Sequence, residues 1–582
     1  MEKIEFGGLD FLFKEVPGEC VFTPADFSAE HKMIAETVED FVQNEIVPNI
    51  NKLELLDLEL TRKLMKDAGN LGLLGVEIPE EYGGVGLDEV SAMIVAEKMA
   101  RGGSFAVSYA VHAGLGTLPV AFFGDTQQKQ KYLPAFVSGD LLTAFALTEA
   151  EAGSDASAGK CKAVLTEDRR YYSINGTKMW ISNAGFADIF IVFARVNEKF
   201  TAFIIEKDFG GVIPGLEEKK LGIQGSSTRA VSLENVRVPV ENLLGGIGNG
   251  FKIALNILNV GRLKVGASCV GGCKVAIEDS IKYANERKQF GKPIAVLNAI
   301  KEKIALMIVT TFASESIVYR TAGLIDGKIK GVRDSEALIK GIGEYATECA
   351  MCKVGCSEIL DFVVDEAVQI HGGYGYSQDY PVERYYRDSR INRIFEGTNE
   401  INRLVISSMV IRKASKVKEI IAEICRQTEE EGASPEKTSY NDEIGNESET
   451  LARIKNALLI ALSRFLGKFR DTILNEQEIT FRIAEIVTSI YFCETVLLRV
   501  RKNGLSHDEN SIQVCAAKAY CHNSFYKMHQ LLMEIIESVD DKEKLAYDVA
   551  LINKLASPVY FNNVQNLRII ADKAIEVLKY PL

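Results

Sequence analysis

The feature that most constrains this 582-residue chain is one island of β character between long helical stretches. From about residue 143 to 242, short runs of β-branched and aromatic residues alternate with turns. Tyr171-Tyr172-Ser173-Ile174 is one such run; Ile189 to Ala194 and Phe200 to Ile205 are others. Runs of this kind predict strands, and Asn175-Gly176 behind the first predicts a hairpin turn. On both sides the apolar residues recur at helical spacing. They do so from His31 to Val47 and from Asp88 to Ala100, then over 251–293, 296–327, 334–370 and 398–414. Pro79 and Gly83-Gly84 punctuate the first helical block. A chain this long exceeds a single core. The pattern therefore predicts a mainly α protein with a central β domain.

The expected divisions follow the same changes of character. They are an N-terminal extension (1–27), an α domain (28–141), a middle β domain (142–245) and an α-helical bundle (246–415). An acidic, turn-rich linker (428–450) and an extra C-terminal helical domain (451–582) complete the chain. Gly245-Gly246-Ile247-Gly248-Asn249-Gly250 lacks the G-x-G-x-x-G spacing and a surrounding βαβ unit, so it reads as a connecting loop.

A formal net charge of −13 argues against nucleic acid as a partner. It leaves room for an anionic ligand in a local basic pocket. The start, Met1-Glu2-Lys3-Ile4-Glu5-Phe6, matches neither a signal peptide nor a transit peptide. No run of about 18 uncharged apolar residues predicts a membrane span. Eleven cysteines without a secretory signal fit reduced thiols in a cytoplasmic protein. Cys349, Cys352 and Cys356 share one helical face and read as packed core. Cys521-His522 has no metal-spaced partner, so no metal is expected.

Five separated segments hold residues that could carry chemistry. Leu147-Thr148-Glu149-Ala150-Glu151-Ala152-Gly153-Ser154-Asp155 is, on its residues alone, a turn after an apolar strand. Met179-Trp180-Ile181-Ser182-Asn183 holds the only tryptophan, and a lone Trp is usually core. Glu286-Arg287-Lys288-Gln289-Phe290-Gly291 reads as a solvated helix end with a Gly cap. Gln369-Ile370-His371-Gly372-Gly373-Tyr374-Gly375 contains a Gly pair that lets backbone approach a ligand. In Arg387 to Glu400, Glu396 before Gly397-Thr398 reads as a surface or capping residue.

In this order, and over roughly residues 30–415, the segments resemble the acyl-CoA dehydrogenase family. The added C-terminal helices are similar to the very-long-chain branch. The resemblance implies the fold of that family: N-terminal α, middle β, α bundle, and here an extra helical domain. It implies FAD as cofactor. Thr148 would bond the flavin pyrimidine edge, Ser154 the flavin or the pantetheine of the substrate, and Trp180 would pack against the ring. Ser182 would bond flavin N5, the atom that accepts hydride. Arg287 would pair with the FAD pyrophosphate, which suits its planar fork, with Phe290 beside the cofactor. Gln369, Gly372 and Gly373 would reach the ADP half of FAD bound mainly by a neighbouring subunit. The protein would then be a homodimer or homotetramer. Thr398 and Glu400 would lie near the adenosine side. His371 reads as structural rather than as a base.

The resemblance also implies a reaction: α,β-dehydrogenation of acyl-CoA to trans-2-enoyl-CoA in fatty-acid β-oxidation. Glu396 would be the catalytic base and an electron-transferring flavoprotein the electron acceptor. Asn259, Arg262 and Gly397 would sit on the substrate side. Some members carry the base just before the residue matching Arg262; here that residue is Gly261, which leaves Glu396 alone. The family's usual Pro after Thr-Glu is Ala150, which loosens that loop. Ala106 and Ala110 imply a deep pocket for a long acyl chain. The C-terminal helices would serve packing, with peripheral rather than integral membrane contact the most they would add. An acyl-CoA oxidase and a non-catalytic assembly factor are the competing readings on the same fold.

Overall fold

The structure, a computed structural model, describes residues 7–332, 334–430, 442–504, 511–539, 544–557 and 560–582. Helices begin where short polar side chains can cap them. Ser28 accepts from the His31 amide at 3.1 Å at the start of Ala29–Phe41. Asp88 accepts from the Ser91 amide at 2.9 Å at the start of Glu89–Met99. Asp125 and Gln128 form a reciprocal capping box ahead of Thr126–Val137.

The β region is one sheet of eight strands. They are β1 (Thr143–Ala146), β2 (Lys162–Leu165), β3 (Tyr171–Ser182), β4 (Ile189–Val196), β5 (Lys199–Glu206), β6 (Val212–Glu217), β7 (Thr228–Pro239) and β8 (Leu243–Leu244). The order is β6-β7-β3-β2-β4-β5-β8, with β1 parallel to β4. The hairpin expected at Asn175-Gly176 is not there: β3 runs straight through it. The extra residue sits on the partner strand, where Asn235 has φ 50° and exchanges bonds with Asn175. Long-range pairing with β7 overrides the local turn preference.

The helix Gly250–Glu286 is the spine of the bundle, packed on Ala346–His371 and Glu89–Met99. A side chain at Gly271 would run into the Glu97 carbonyl, so the two helices cross almost backbone to backbone there. The spine ends at Glu286, short of the 293 expected from periodicity. Lys288–Gln289 and Lys292–Pro293 instead form a small antiparallel ribbon with Phe290 at its tip. Gly250–Glu286 and the stretch Ser104–Phe123 are long and apolar enough to cross a membrane, but both are largely buried inside the protein. Cys349, Cys352 and Cys356 are fully buried along one face of Ala346–His371.

Past the bundle, Lys418–Glu430 and Gly445–Phe469 are helices. Of the linker expected over 428–450, residues 431–441 lie outside the described residues. Gln477–Lys502, Ile512–Val539 and Asn563–Val577 pack against one another and onto Asn298–Ile329. Buried charges join these helices to the bundle. Lys274 pairs with Glu97 at 2.7 Å and with Glu315, and Arg499 closes on Glu315 at 2.7 Å. Glu494 takes Arg320 at 2.8 Å and Lys455 at 2.5 Å. Residues 7–27 strap across this junction: the Leu9 amide donates to Glu348, and Lys455 donates to the Phe11 carbonyl.

Candidate active site

Glu396 lies in the short link between the turn Arg390–Arg393 and the helix Asn399–Lys416. Its φ is 55°, a left-handed conformation that a Glu rarely adopts. Such strain persists only where the surroundings over-determine it, and here they do. Lys353, fully buried on Ala346–His371, donates to the Gly397 carbonyl at 2.8 Å and to Asn399 Oδ1 at 2.6 Å. Asn402 donates to the Gly397 and Thr398 carbonyls at 2.8 and 3.0 Å. Arg262 Nε donates to the Glu396 carbonyl at 3.3 Å, while its Nη1 donates to Asn259 Oδ1 at 3.1 Å. Thr398 accepts from the Ile401 amide at 3.2 Å and so starts the next helix.

The clamp aims the Glu396 side chain inward. Its Oε2 is closed off from solvent and has no hydrogen-bond partner. A Cβ at Gly261 would stand 3.0 Å from that oxygen and 3.4 Å from Leu115 Cδ2. The absence of a side chain at 261 is what makes room for the carboxylate. Burial pushes the Glu396 carboxyl up to about 7, against the opposing pull of Arg262 and Lys353. A carboxylate with an orphaned oxygen and a pKa near neutrality is poised as a base. Burial pulls Lys353 down to about 8.

A narrow cavity is lined by Ala92, Ala96, Ala106, Ala110, Ala113 and Gly114, and by Lys264, one turn past Gly261 on the spine helix.

The Thr148 and Trp180 segments meet. The Met179 amide donates to the Thr148 carbonyl at 2.9 Å. Buried Lys178 ties Leu147 and Glu149 to the same strand at 3.1 and 2.7 Å. Between Lys178 and Ile181, β3 bulges by one residue. Trp180 sits on that bulge with φ 61° and is 58% exposed, not core. A bulge re-aims a side chain, and here it stands a large ring outside the sheet beside Thr148. Ser182 is half-buried and Ser154 exposed.

Arg287 lies with the Gly372-Gly373 segment. It stacks over Tyr374 at 5.4 Å, and Tyr283 stacks on His371 at 4.1 Å. His371 Nδ1 bonds the Ala367 carbonyl at 2.8 Å, a structural role. These residues open a cleft of about 560 Å³. Cβ atoms at Gly372 and Gly373 would meet nothing within 4 Å. Gln369, Glu400 and Phe290 are exposed, Phe290 by 90%. Arg262 lies about three turns into the spine helix and Arg287 caps its far end, roughly 37 Å away along the axis.

Exposed Trp180 beside Thr148, and an open Gly-Gly cleft beside an Arg, fit a flavin dinucleotide: a flat surface for a ring and a guanidinium for phosphate. Among the described residues no group of His, Cys, Asp and Glu could hold a metal. Lys353 and Asn402 were not singled out in the sequence. The signal that could have found Lys353 is a lone Lys within the apolar run Cys352-Lys353-Val354, because Lys is almost never buried without partners.

Four family models match the chain. They describe an acyl-CoA dehydrogenase N-terminal domain (residues 28–140), middle domain (144–236), C-terminal domain (248–411) and a further C-terminal domain (453–554). A probable acyl-CoA dehydrogenase of Bacillus subtilis (strain 168) is 43% identical, covering 99% of this chain and 98% of that protein. The rat (Rattus norvegicus) mitochondrial very long-chain specific acyl-CoA dehydrogenase is 35% identical over 74% of this chain and 69% of its own. A crystal structure of an acyl-CoA dehydrogenase complexed with FAD from Bacillus anthracis superposes with a TM-score of 0.96. It is 43% identical, covering 99% of this chain and all of that one.

Proposed function

The chain belongs to the acyl-CoA dehydrogenase family and is an FAD-dependent enzyme that dehydrogenates acyl-CoA; from that premise we propose that it desaturates long-chain acyl-CoA with Glu396 as its base. The observation that carries the reading is the Glu396 carboxylate, held inward with Oε2 unpartnered and its pKa raised to about 7.

Glu396 Oε2 takes the proton from Cα of the thioester. Hydride leaves Cβ in the same or the next instant, so that each carbon loses one hydrogen, Cα as a proton and Cβ as hydride, and a trans double bond remains. When bound, the flavin supplies the acceptor for those two electrons. Arg262 and Lys353 keep the base from being protonated too firmly while burial keeps water away. Lys353, Asn402 and Arg262 hold the loop around Glu396, which keeps the reorganisation needed at the moment of reaction small. Thr148, Trp180, Ser182 and Ser154 hold the flavin half of FAD, with Ser154 also on the substrate side. Arg287, Phe290, Gln369, Gly372 and Gly373 hold the ADP half, and Thr398 and Glu400 its adenosine side. Asn259, Arg262 and Gly397 orient the thioester.

The cleft at Arg287 and the carboxylate at Glu396 are too far apart to touch one dinucleotide in one protomer. The cleft therefore serves the FAD of a second copy, and the enzyme is at least a homodimer. The similarity to a very long-chain specific relative favours a long acyl chain, and the small side chains at Ala106 and Ala110 leave the narrow cavity able to widen for one. We place the enzyme in the cytoplasm, in β-oxidation, with an electron-transferring flavoprotein as acceptor.

The test is an anaerobic absorbance spectrum of the purified protein before and after palmitoyl-CoA, with butyryl-CoA alongside. Bleaching by palmitoyl-CoA is expected. Bleaching by butyryl-CoA alone would reject the long-chain reading and keep the reaction. Rapid peroxide formation in air without an added acceptor would favour an oxidase.

A further inference from the structure

An ion pair stands where the acyl channel ought to be pure hydrocarbon. Lys264 and Glu77 line the narrow cavity, are bonded to each other, and are only 11% and 13% exposed. Lys264 follows Gly261 by one turn on the spine helix, about 4.5 Å along the axis. Its Cδ lies 3.9 Å from where a Cβ would stand on Gly114, the neighbour of Leu115. Leu115 in turn packs at Gly261, against Glu396. The Lys264 stem therefore lines the cavity one helical turn beyond the residue that faces the Glu396 carboxylate. Beyond it lies the alanine-lined slot, whose free volume is about 20 Å³. That is room for about one water, not for a hydrocarbon tail.

The Lys264 charge is already committed. Besides Glu77, buried Glu89 is its near neighbour, with Oε1 unpartnered. Burial and then Glu77 push the Glu89 carboxyl well up, with Asp326 and Asp88 acting in the same sense, while Lys264 opposes them. Acids outnumber bases here, so the ammonium is not a free receptor for a second carboxylate at the end of an acyl chain. A long, unbranched Lys side chain is instead a part that can move.

We propose that the Lys264–Glu77 pair is the length gate of the acyl channel. An acyl chain that ends short of Lys264 leaves the pair closed. A longer tail must swing the ammonium off Glu77 and slide past its stem into the slot, and it binds more weakly for having to do so. The gate rests on the acyl-CoA reading above.

The test uses the FAD-loaded enzyme and a paired substitution, Lys264→Met with Glu77→Gln. Removing both charges at similar shape avoids stranding one of them in the interior. Steady-state turnover is measured with butyryl-CoA and palmitoyl-CoA. The palmitoyl-to-butyryl ratio of kcat/KM should rise by about tenfold or more, through a lower KM for palmitoyl-CoA, since the gate acts on binding rather than on chemistry. Lys264→Arg, whose fork grips Glu77 more firmly, should move the ratio the other way. An unchanged or smaller ratio in the paired variant, or a common factor for both thioesters, overturns the gate. If the wild-type enzyme turns over neither thioester, the acyl-CoA reading fails first and takes the gate with it.

Discussion

Replacing Glu396 by Gln should make the protein more stable while abolishing its turnover, and the gain should build between about pH 4.5 and 7 and hold above it. The carboxyl is pushed from an ordinary 4.5 to about 7. That gap of about 2.5 pH units corresponds to about 3 kcal/mol. The sign follows from a folded-state pKa above the unfolded one. Below about pH 4.5 both states hold the proton and Glu396 imposes no penalty. As the pH rises toward 7 the unfolded chain ionises first, and the folded state loses relative stability until it ionises too. A neutral amide escapes this loss, but its own N–H donors lack partners, so a net gain of about 1–3 kcal/mol is expected at pH 8.5. With unfolding entropy near 2 cal/mol/K per residue, 1 kcal/mol moves the melting temperature of a chain this long by about 0.8 °C. Glu396→Gln should then melt roughly 1–2 °C above wild type at pH 8.5 and level with it or up to about 1–2 °C below at pH 4.5. Turnover should fall by about 10³-fold or more, the worth of a positioned base. A variant that melts lower at pH 8.5, or by the same margin at both pH values, would refute the claim that this carboxylate is stored at a cost to the fold.

Three further substitutions probe the surroundings. Gly261→Ala puts a methyl 3.0 Å from Oε2; kcat should fall by about 10- to 100-fold with FAD content unchanged, since small misplacements of a reacting group are expensive. Lys353→Met removes two bonds to the strained loop and one of the two cations facing Glu396, the other being Arg262. Cys269 and Glu358 are the other titratable groups that face Lys353. The rise of kcat/KM with pH should move upward from about 7, and a profile that stays in place would count against Lys353 as a positioning residue. Arg499→Met leaves buried Glu315 with Lys274 alone, a loss of about 3–5 kcal/mol; an unchanged melting temperature would mean that this network does not hold the C-terminal helices to the bundle.

Ser28, Asp88 and Asp125 cap their helices through amides three residues on, a signal local to the sequence. The α-β-α order was legible for a similar reason: periodicity is a local property. What failed locally was decided by distant pairing. Asn175-Gly176 stays extended because β7 takes up the extra residue at Asn235. The spine helix gives way at Arg287 to a ribbon that presents Phe290. At the site, Glu396 and its relatives were legible only through resemblance; in isolation a Glu before Gly-Thr is unremarkable. Trp180 was expected in a core by composition, yet one bulge turns it outward. Lys353 and Lys264 escaped notice because each is a single charge in an apolar helix. Only the packing reveals that each is buried against a named partner, one behind the Glu396 loop and one in the alanine-lined cavity.

The most direct test of the central claim is anaerobic rapid mixing of FAD-loaded wild type and Glu396→Gln with palmitoyl-CoA, following flavin absorbance. With Glu396 as the base, both proteins carry the yellow flavin and only wild type bleaches. A Glu396→Gln protein that bleaches at more than a few per cent of the wild-type rate would contradict it, and the base would have to be sought elsewhere.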